Sequence, residues 1–298
     1  MNRLSDDHHR NSDFATSTPC APSGLIGMFD SGVGGLSVLR AVRTRLPNAS
    51  FIYLGDGAYA PYGQRSAAQV VARCESVVEH LVAHGARLIV VACNTATVLA
   101  IATLRERWPA LHFVGVEPGI KPAIAATRSR RIAVMATSAT VASARVRQLI
   151  QHHGAGIFVH LQACPGLATA IENGVLDGPK LHEILSSSCA SVRGAEVDTV
   201  VLGCTHYPFV ADPIRQLLDP GITLIDTATA IAERVASLWE PTAGAGAGAG
   251  TEAAPSVRLQ NTGATQTMRL LLERCPGLGG HPIEQLNGGL LEAKFAAC

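Results

Sequence analysis

Short β-branched apolar runs recur along this chain at intervals that leave room for a helix between them, and that alternation leaves few folds open. Leu25–Phe29, Phe51–Leu54, Leu88–Ala92, His112–Val116, Arg131–Ala136, Ile157–Leu161, Thr199–Gly203 and Ile222–Asp226 are the strand candidates. Ser66 is placed to cap a helix whose apolar face is Val70, Cys74, Val77, Val78 and Leu81, the recurrence of a buried helical stripe. A second helix carries Leu181, Ile184, Leu185, Cys189 and Val192, with Gly194 as its expected stop. Strands alternating with helices predict an α/β fold with largely parallel sheet and helices on both faces. Composition agrees, because 47% of the residues are hydrophobic and only 4% aromatic. A core of Ala, Val, Leu and Ile suits strands buried on both sides.

Two of these runs end alike. Leu88-Ile89-Val90-Val91-Ala92 leads into Cys93-Asn94-Thr95, and Thr199-Val200-Val201-Leu202-Gly203 leads into Cys204-Thr205-His206. Each follows a helical stretch that closes on Gly-Ala, at Gly85-Ala86 and Gly194-Ala195. One supersecondary unit is therefore used twice, and each copy carries a thiol to the tip of a buried strand. A lone buried cysteine is usually a small hydrophobe, and that reading suits the other six. It does not suit Cys93 and Cys204, which end strands and precede hydrogen-bonding residues. A cysteine titrates close enough to neutrality to act as base or acid, and thiolate is favoured beside a helix N-terminus or a cation. His206 is a neighbour of the second kind for Cys204, and Asp30 a polar counterpart near Cys93.

The 298 residues suffice for one large α/β domain or two small ones. A net charge of +1 supplies no field for nucleic acid or anionic membrane. No run reaches the length of a membrane span, and the polar stretch Met1–Ser23 lacks a signal-peptide core, so the expected location is cytoplasmic. The eight cysteines are dispersed, without a disulfide framework and without a Cys-x-x-Cys pair to start a zinc site; no metal is expected. Residues 1–23 read as a disordered tail, and the Ala-Gly repeat within 241–255 as a flexible excursion, since it has no side chain to bury. Val257–Asn261 and a helix over Met268–Leu272 look folded again.

Two further segments are candidates for binding. Asp30-Ser31-Gly32-Val33-Gly34-Gly35 follows a strand and opens a helix, so its backbone N–H groups can converge on an anion. It lacks the Walker and Rossmann spacings, and a plain βα turn is the competing reading. Asp56 followed by Pro61-Tyr62-Gly63 can line a pocket and hold a carboxylate on backbone groups, or be an ordinary Pro-Gly turn.

Together Asp30-Ser31-Gly32-Val33-Gly34-Gly35-Leu36, Pro61-Tyr62-Gly63, Ala92-Cys93-Asn94-Thr95-Ala96-Thr97, Val116-Glu117-Pro118 and Leu202-Gly203-Cys204-Thr205-His206-Tyr207-Pro208 resemble the bacterial glutamate racemases, in the family's order from about residue 24 to about 287. The resemblance implies two similar α/β domains with the active site in the cleft between them: 24–116 completed by 227–298, and 117–226. It implies cofactor-independent, two-base interconversion of L- and D-glutamate for peptidoglycan synthesis, with glutamate as the small-molecule partner and a homodimer as an assembly open to it. Carried over by position, Cys93 and Cys204 are the acid/base thiols. Asp30, His206 and Glu172 assist catalysis. Asp30, Ser31, Pro61, Tyr62, Gly63, Asn94, Thr95, Thr137, Thr140, Thr205 and His206 contact substrate. Lys121 and Lys180 sit in no pyridoxal-type motif. The N-terminal extension, the Ala-Gly stretch and Ala144-Arg145, where a tyrosine is usual, depart from the pattern.

Three rivals remain at this level. One is a racemase or decarboxylase for another small acid such as aspartate. Another is a Cys–His hydrolase with His206 as base, which leaves the second strand-end thiol unexplained. The last is a carboxylate-binding or partner-sequestering protein, which needs neither thiol.

Overall fold

The computed structural model describes residues 24–239 and 255–286. The predicted Met1–Ser23 tail and all but the last residue of the 241–255 stretch lie outside them. The first sheet holds β1 (Leu25–Asp30), β2 (Ser50–Gly55), β3 (Ala86–Val91), β4 (His112–Gly115), β9 (Val257–Asn261) and β10 (Ile283–Gln285), in the order β10-β9-β2-β1-β3-β4. The second holds β5 (Arg131–Ala136), β6 (Phe158–Ala163), β7 (Thr199–Leu202) and β8 (Thr223–Ile225), in the order β6-β5-β7-β8. Every strand pairing among the described residues is parallel.

The order β2-β1-β3-β4 in one sheet repeats as β6-β5-β7-β8 in the other. Cys93 and Cys204 thus follow equivalent third strands, each beside its sheet's first strand. Asp30-Ser31 at the end of β1 and Thr137 just past β5 take corresponding places. Parallel strands deliver their C-terminal ends to one edge, where ligands bind in such sheets. The repeat brings all these residues to facing edges.

Helices α1 (Leu36–Arg45), α2 (Ala67–Ala83), α3 (Asn94–Arg107), α4 (Ile120–Ala126), α5 (Ser138–Ala142), α6 (Ala144–His153), α7 (Leu167–Glu172), α8 (Gly178–Gly194), α9 (Ala211–Leu217), α10 (Ala228–Leu238) and α11 (Gln266–Glu273) connect and cover the sheets. Side chains of successive strand residues go to opposite faces. Leu88 and Val90 accordingly join one core, while Ile89 and Val91 join another against α2 and α3. Burying each of these aliphatic side chains contributes roughly 1.5–3 kcal/mol. The first core is continuous across both halves, from Ile26 and Met28 through Ile171 and Leu185 to Cys204.

Ser66 caps α2 in a reciprocal box with Gln69, and Gly85 leaves the helix at φ +91°. In the second repeat α8 ends at Gly194 as expected, and the left-handed turn follows at Glu196, φ 51°. The sixth strand is also displaced, to Phe158–Ala163 from the predicted Ile157–Leu161. Ile157 spends its N–H on Gly154, and pairing with β5 runs from Arg131–Phe158 to Ala136–Ala163. Strand β10 and the short helices α4, α5, α7 and α9 carried no sequence signal strong enough to place them. Arg145, at the departure from the family's tyrosine, forms an exposed ion pair with Glu117. No helix among the described residues is long and apolar enough to cross a membrane.

Candidate active site

Cys93 is the N-cap of α3, and its Sγ accepts the Ala96 N–H at 3.4 Å. The same thiol donates to the Ser31 hydroxyl at 3.7 Å. Cys204 stands two residues past β7, where Gly203 donates its N–H to Met135 at 2.8 Å and so ends the ladder. The Cys204 sulfur lies 3.6 Å from His206 Nδ1, and His206 Nε2 lies 2.5 Å from Glu172 Oε1. Both thiols, only 5% and 6% exposed, line one pocket.

Ser31, Pro61, Tyr62, Gly63, Asn94 and Thr95 from the first half also face that pocket. Thr137, Thr205 and His206 face it from the second half, together with Ala168 of α7, which the sequence offered no reason to single out. Asp30, Glu172 and Thr140 stand one layer back. Thr140 accepts a hydrogen bond from Thr137 at 3.0 Å, and Thr137 in turn meets Thr95 across the cleft at 3.1 Å. Asp30 accepts the Gly32 N–H at 2.8 Å and the Thr205 hydroxyl at 3.0 Å.

Two N–H groups of the glycine-rich turn are taken by the protein's own carboxylates: Gly32 donates to Asp30, and Val33 to Glu172 at 2.9 Å. The glycines are needed for close approach between the halves. A Cβ on Gly32 would collide with the Glu172 carboxylate, and one on Gly34 with the His206 ring. The Tyr62 hydroxyl is engaged by Asp56 at 2.7 Å, which leaves its backbone to face the pocket. What it presents to the pocket is the wall it forms with Pro61 and Gly63.

The electrostatic surroundings differ on the two sides of the pocket. Burial, reinforced by the Asp30 charge, pushes the Cys93 thiol up to about 12, against the opposing pull of the Ala96 N–H. Asp30 itself is raised from 3.8 to about 6 by burial, which the His206 charge only partly offsets. Burial would keep His206 neutral, but the Cys204 sulfur and the Glu172 carboxylate together hold its imidazole well above the usual range. Asp30, Glu172 and His206 bring ligand-type atoms within 4.8 Å of one another. The His206–Glu172 bond and the Asp30 bonds to Gly32 and Thr205 already give those atoms partners within the protein.

Asn94 Oδ1 is buried with no hydrogen-bond partner among the described residues, while its Nδ2 donates to Val116 at 3.2 Å. Such an acceptor is poised for a donor brought by a ligand. The space between the thiols measures only about 10 Å³. Larger cavities, of about 640 and 870 Å³, lie elsewhere, one between α3 and α10 and one beside α8 and α9.

A family model described as Asp/Glu/Hydantoin racemase matches residues 36–235. The glutamate racemase of Ectopseudomonas mendocina (strain ymp) is 43% identical over 247 residues, covering 83% of this chain and 92% of that one. That of Pseudomonas aeruginosa (strain UCBPP-PA14) is 46% identical over 213 residues, covering 72% and 80%. Among solved structures, a glutamate racemase isoform from Bacillus anthracis superposes with a TM-score of 0.77 at 30% identity, covering 88% of this chain and 97% of that chain. The Escherichia coli glutamate racemase, solved with L-glutamate and the activator UDP-MurNAc-Ala, gives 0.75 at 31% identity, covering 89% and 98%. With paired thiols at equivalent strand ends and matches of this extent, the chain belongs to the Asp/Glu/hydantoin racemase family.

Proposed function

We propose that this chain is a glutamate racemase that works without a cofactor through Cys93 and Cys204. The observation that carries the reading is the shared pocket: two thiols on equivalent units, one from each half, reach the same small space. A carboxylate-binding protein has no use for that arrangement. A Cys–His hydrolase uses one of the two thiols and leaves the other idle.

One sulfur, as thiolate, takes the α-proton; the opposite thiol gives its proton to the other face of the resulting carbanion. The Cα–H bond breaks and an S–H bond forms on one side, and the reverse happens on the other. Turnover therefore leaves thiol and thiolate exchanged. The pair resets by converting the opposite enantiomer or by trading a proton with solvent. The α-proton is a weak acid, so the developing charge needs donors already aimed at it. The Ser31, Thr95 and Thr137 hydroxyls supply them, and Asn94 Oδ1 receives the α-ammonium group. Because Cys93 is held protonated, it starts as the acid, with the His206 imidazolium beside Cys204 on the side of the base. By the resemblance, Cys204 faces the α-proton of L-glutamate and Cys93 that of D-glutamate.

A space of about 10 Å³ holds at most one water, so glutamate reaches the thiols only when the halves separate. The side-chain bonds to be broken among the described residues are few: Asp30–Thr205, Ser37–Thr205, Val33–Glu172, Thr95–Thr137 and Gln64–Thr169. Closure then returns a dry site in which each dipole acts strongly. D-Glutamate supply for peptidoglycan follows from the activity. A cytosolic location agrees with Cys74, Cys164, Cys189 and Cys275, which are buried and unbridged.

The test is circular dichroism of each glutamate and aspartate enantiomer incubated with the purified chain and no added cofactor. Glutamate of either hand should lose its signal while aspartate keeps it. Loss with aspartate alone would move the assignment to the rival acid, and no loss with either would end it.

A further inference from the structure

Asp56 and Arg73 are among the most deeply buried charged residues described, at 0% and 1% exposure, and neither touches the thiols. Arg73 grips the Asp56 carboxylate with two nitrogens, Nε and Nη2, each at 2.6 Å. The same carboxylate accepts the Thr262 hydroxyl at 2.8 Å and the Tyr62 hydroxyl at 2.7 Å. Four donors thus saturate one anion. They come from α2, from the loop after β9 and from the pocket wall itself, which are far apart in sequence. Arg73 also stacks on the Tyr59 ring at 4.0 Å, and Thr262 accepts the Ala58 N–H at 3.1 Å, tying the start of the same loop.

A fully desolvated ion pair is seldom the best way to stabilise a core. Arg73 Nη1 is buried without a hydrogen-bond partner among the described residues, but a carboxylate bonded as fully as Asp56 holds its partners in one geometry. Here the held group is Tyr62, in the middle of the Pro61–Tyr62–Gly63 wall. The single 3-10 turn Tyr62–Gln64 has no side-chain cap of its own. Across the cleft Gly63 faces Thr137 of the other half, where a Cβ would make an ordinary contact at 3.4 Å. Every member of the network belongs to the first half. It therefore keeps the wall in shape when the halves part and the Thr137 contact is lost.

We propose that Asp56, Arg73 and Thr262 are positioning residues for the racemase reaction, anchoring Tyr62 so that the Pro61–Tyr62–Gly63 wall is preformed before the cleft closes on glutamate. This rests on the racemase reading above. The network meets the reacting atoms only through that wall, so its loss should lower turnover without altering the acid/base pair.

Asp56→Asn leaves a buried guanidinium without its counter-charge, so gentler variants make the test. Thr262→Val and Tyr62→Phe each remove one hydroxyl bond to Asp56. In either variant kcat/KM for glutamate should fall about tenfold, with the alkaline limb of the pH profile where it is in wild type. Amide hydrogen exchange in a peptide covering 57–65 should accelerate about threefold or more while the 74–83 peptide stays unchanged. A merely structural role would lower the melting temperature and leave kcat and KM per folded molecule alone. That result, or wild-type exchange at 57–65 in both variants, overturns the proposal. If the wild-type chain itself exchanged no glutamate α-proton, the substrate reading would fall and the proposal with it. The amide-exchange arm needs no substrate, so it separates that failure from a failure of the anchor.

Discussion

The Cys93 side and the Cys204 side occupy the same place in two copies of one topology, yet their surroundings are opposite in charge. Cys93 opens a helix of 14 residues, whose first-turn N–H it accepts, but it sits beside the Asp30 carboxylate in a fully buried corner. Cys204 is followed by a short 3-10 turn, Tyr207–Val210, in place of a long helix, and by His206 backed by Glu172. Partial charge from a helix terminus falls off within a turn and is outweighed on the Cys93 side by burial and by Asp30. On the Cys204 side the group nearest the sulfur is instead the His206 imidazole, 3.6 Å away. A repeated backbone can thus deliver two identical nucleophilic atoms, and the side chains around each strand end give them different surroundings.

The comparison breaks most sharply if either thiol proves dispensable. Cys93→Ala and Cys204→Ala should each lower racemisation by about 10⁴-fold or more, measured by circular dichroism, with the far-ultraviolet spectrum unchanged. Each should still exchange the α-proton of one enantiomer with deuterated water, a different one for each variant. Full turnover in either single variant would remove the two-base mechanism. Enantiomers have equal free energies, so kcat/KM must be the same in both directions for every variant; exchange is the measurement that tells the two sides apart.

Glu172→Gln acts on one side only. It takes away a carboxylate that keeps His206 charged, so the imidazole should lose its proton at lower pH. The alkaline limb of kcat/KM should move down by about one pH unit, with turnover reduced about 10²-fold. An unmoved limb would show that His206 does not carry the titration. Ser31→Ala is the counterpart on the Cys93 side. Losing one weak S–H···O contact at 3.7 Å should lower turnover about threefold to tenfold and leave the alkaline limb in place.

The smallest expected change is in stability. Asp30 has its folded pKa raised from 3.8 to about 6, so between those values the folded state binds more protons than the unfolded one, and stability falls as pH rises. Keeping this carboxylate ionised at neutral pH costs the fold about 3 kcal/mol. Asp30→Asn should therefore melt higher than wild type near neutrality, with the gain vanishing below about pH 4, while turnover drops. A variant less stable at both pH values would show that the bonds to Gly32 and Thr205 outweigh the desolvation penalty.

Much of this arrangement is legible along the chain because it follows from local pattern. The β-branched runs ending at Asp30, Val91, Ala136 and Leu202 mark strands buried on both faces, and Ser66 marks the start of α2. Cysteine after such a run is informative for the same reason, since the next residues must leave the sheet at its ligand-binding edge. Glu172 is different. It came forward only through family resemblance, and nothing in Ile171-Glu172-Asn173-Gly174 says that it reaches both His206 and the Val33 N–H. Ala168 and Thr262 gave no signal at all, because an alanine in a short helix and a threonine after a strand are commonplace.

Hydrophobic periodicity and residue type were therefore enough to place two thiols at the ends of parallel strands, since burial of a strand is a matter of nearest neighbours in sequence. Their charge states were not available at that level. The Cys93 environment depends on Asp30, 63 positions earlier in the numbering, and that of Cys204 on a histidine oriented by Glu172. Desolvation and Coulomb interaction depend on distance through the folded molecule, and those distances exist only once the two halves have met.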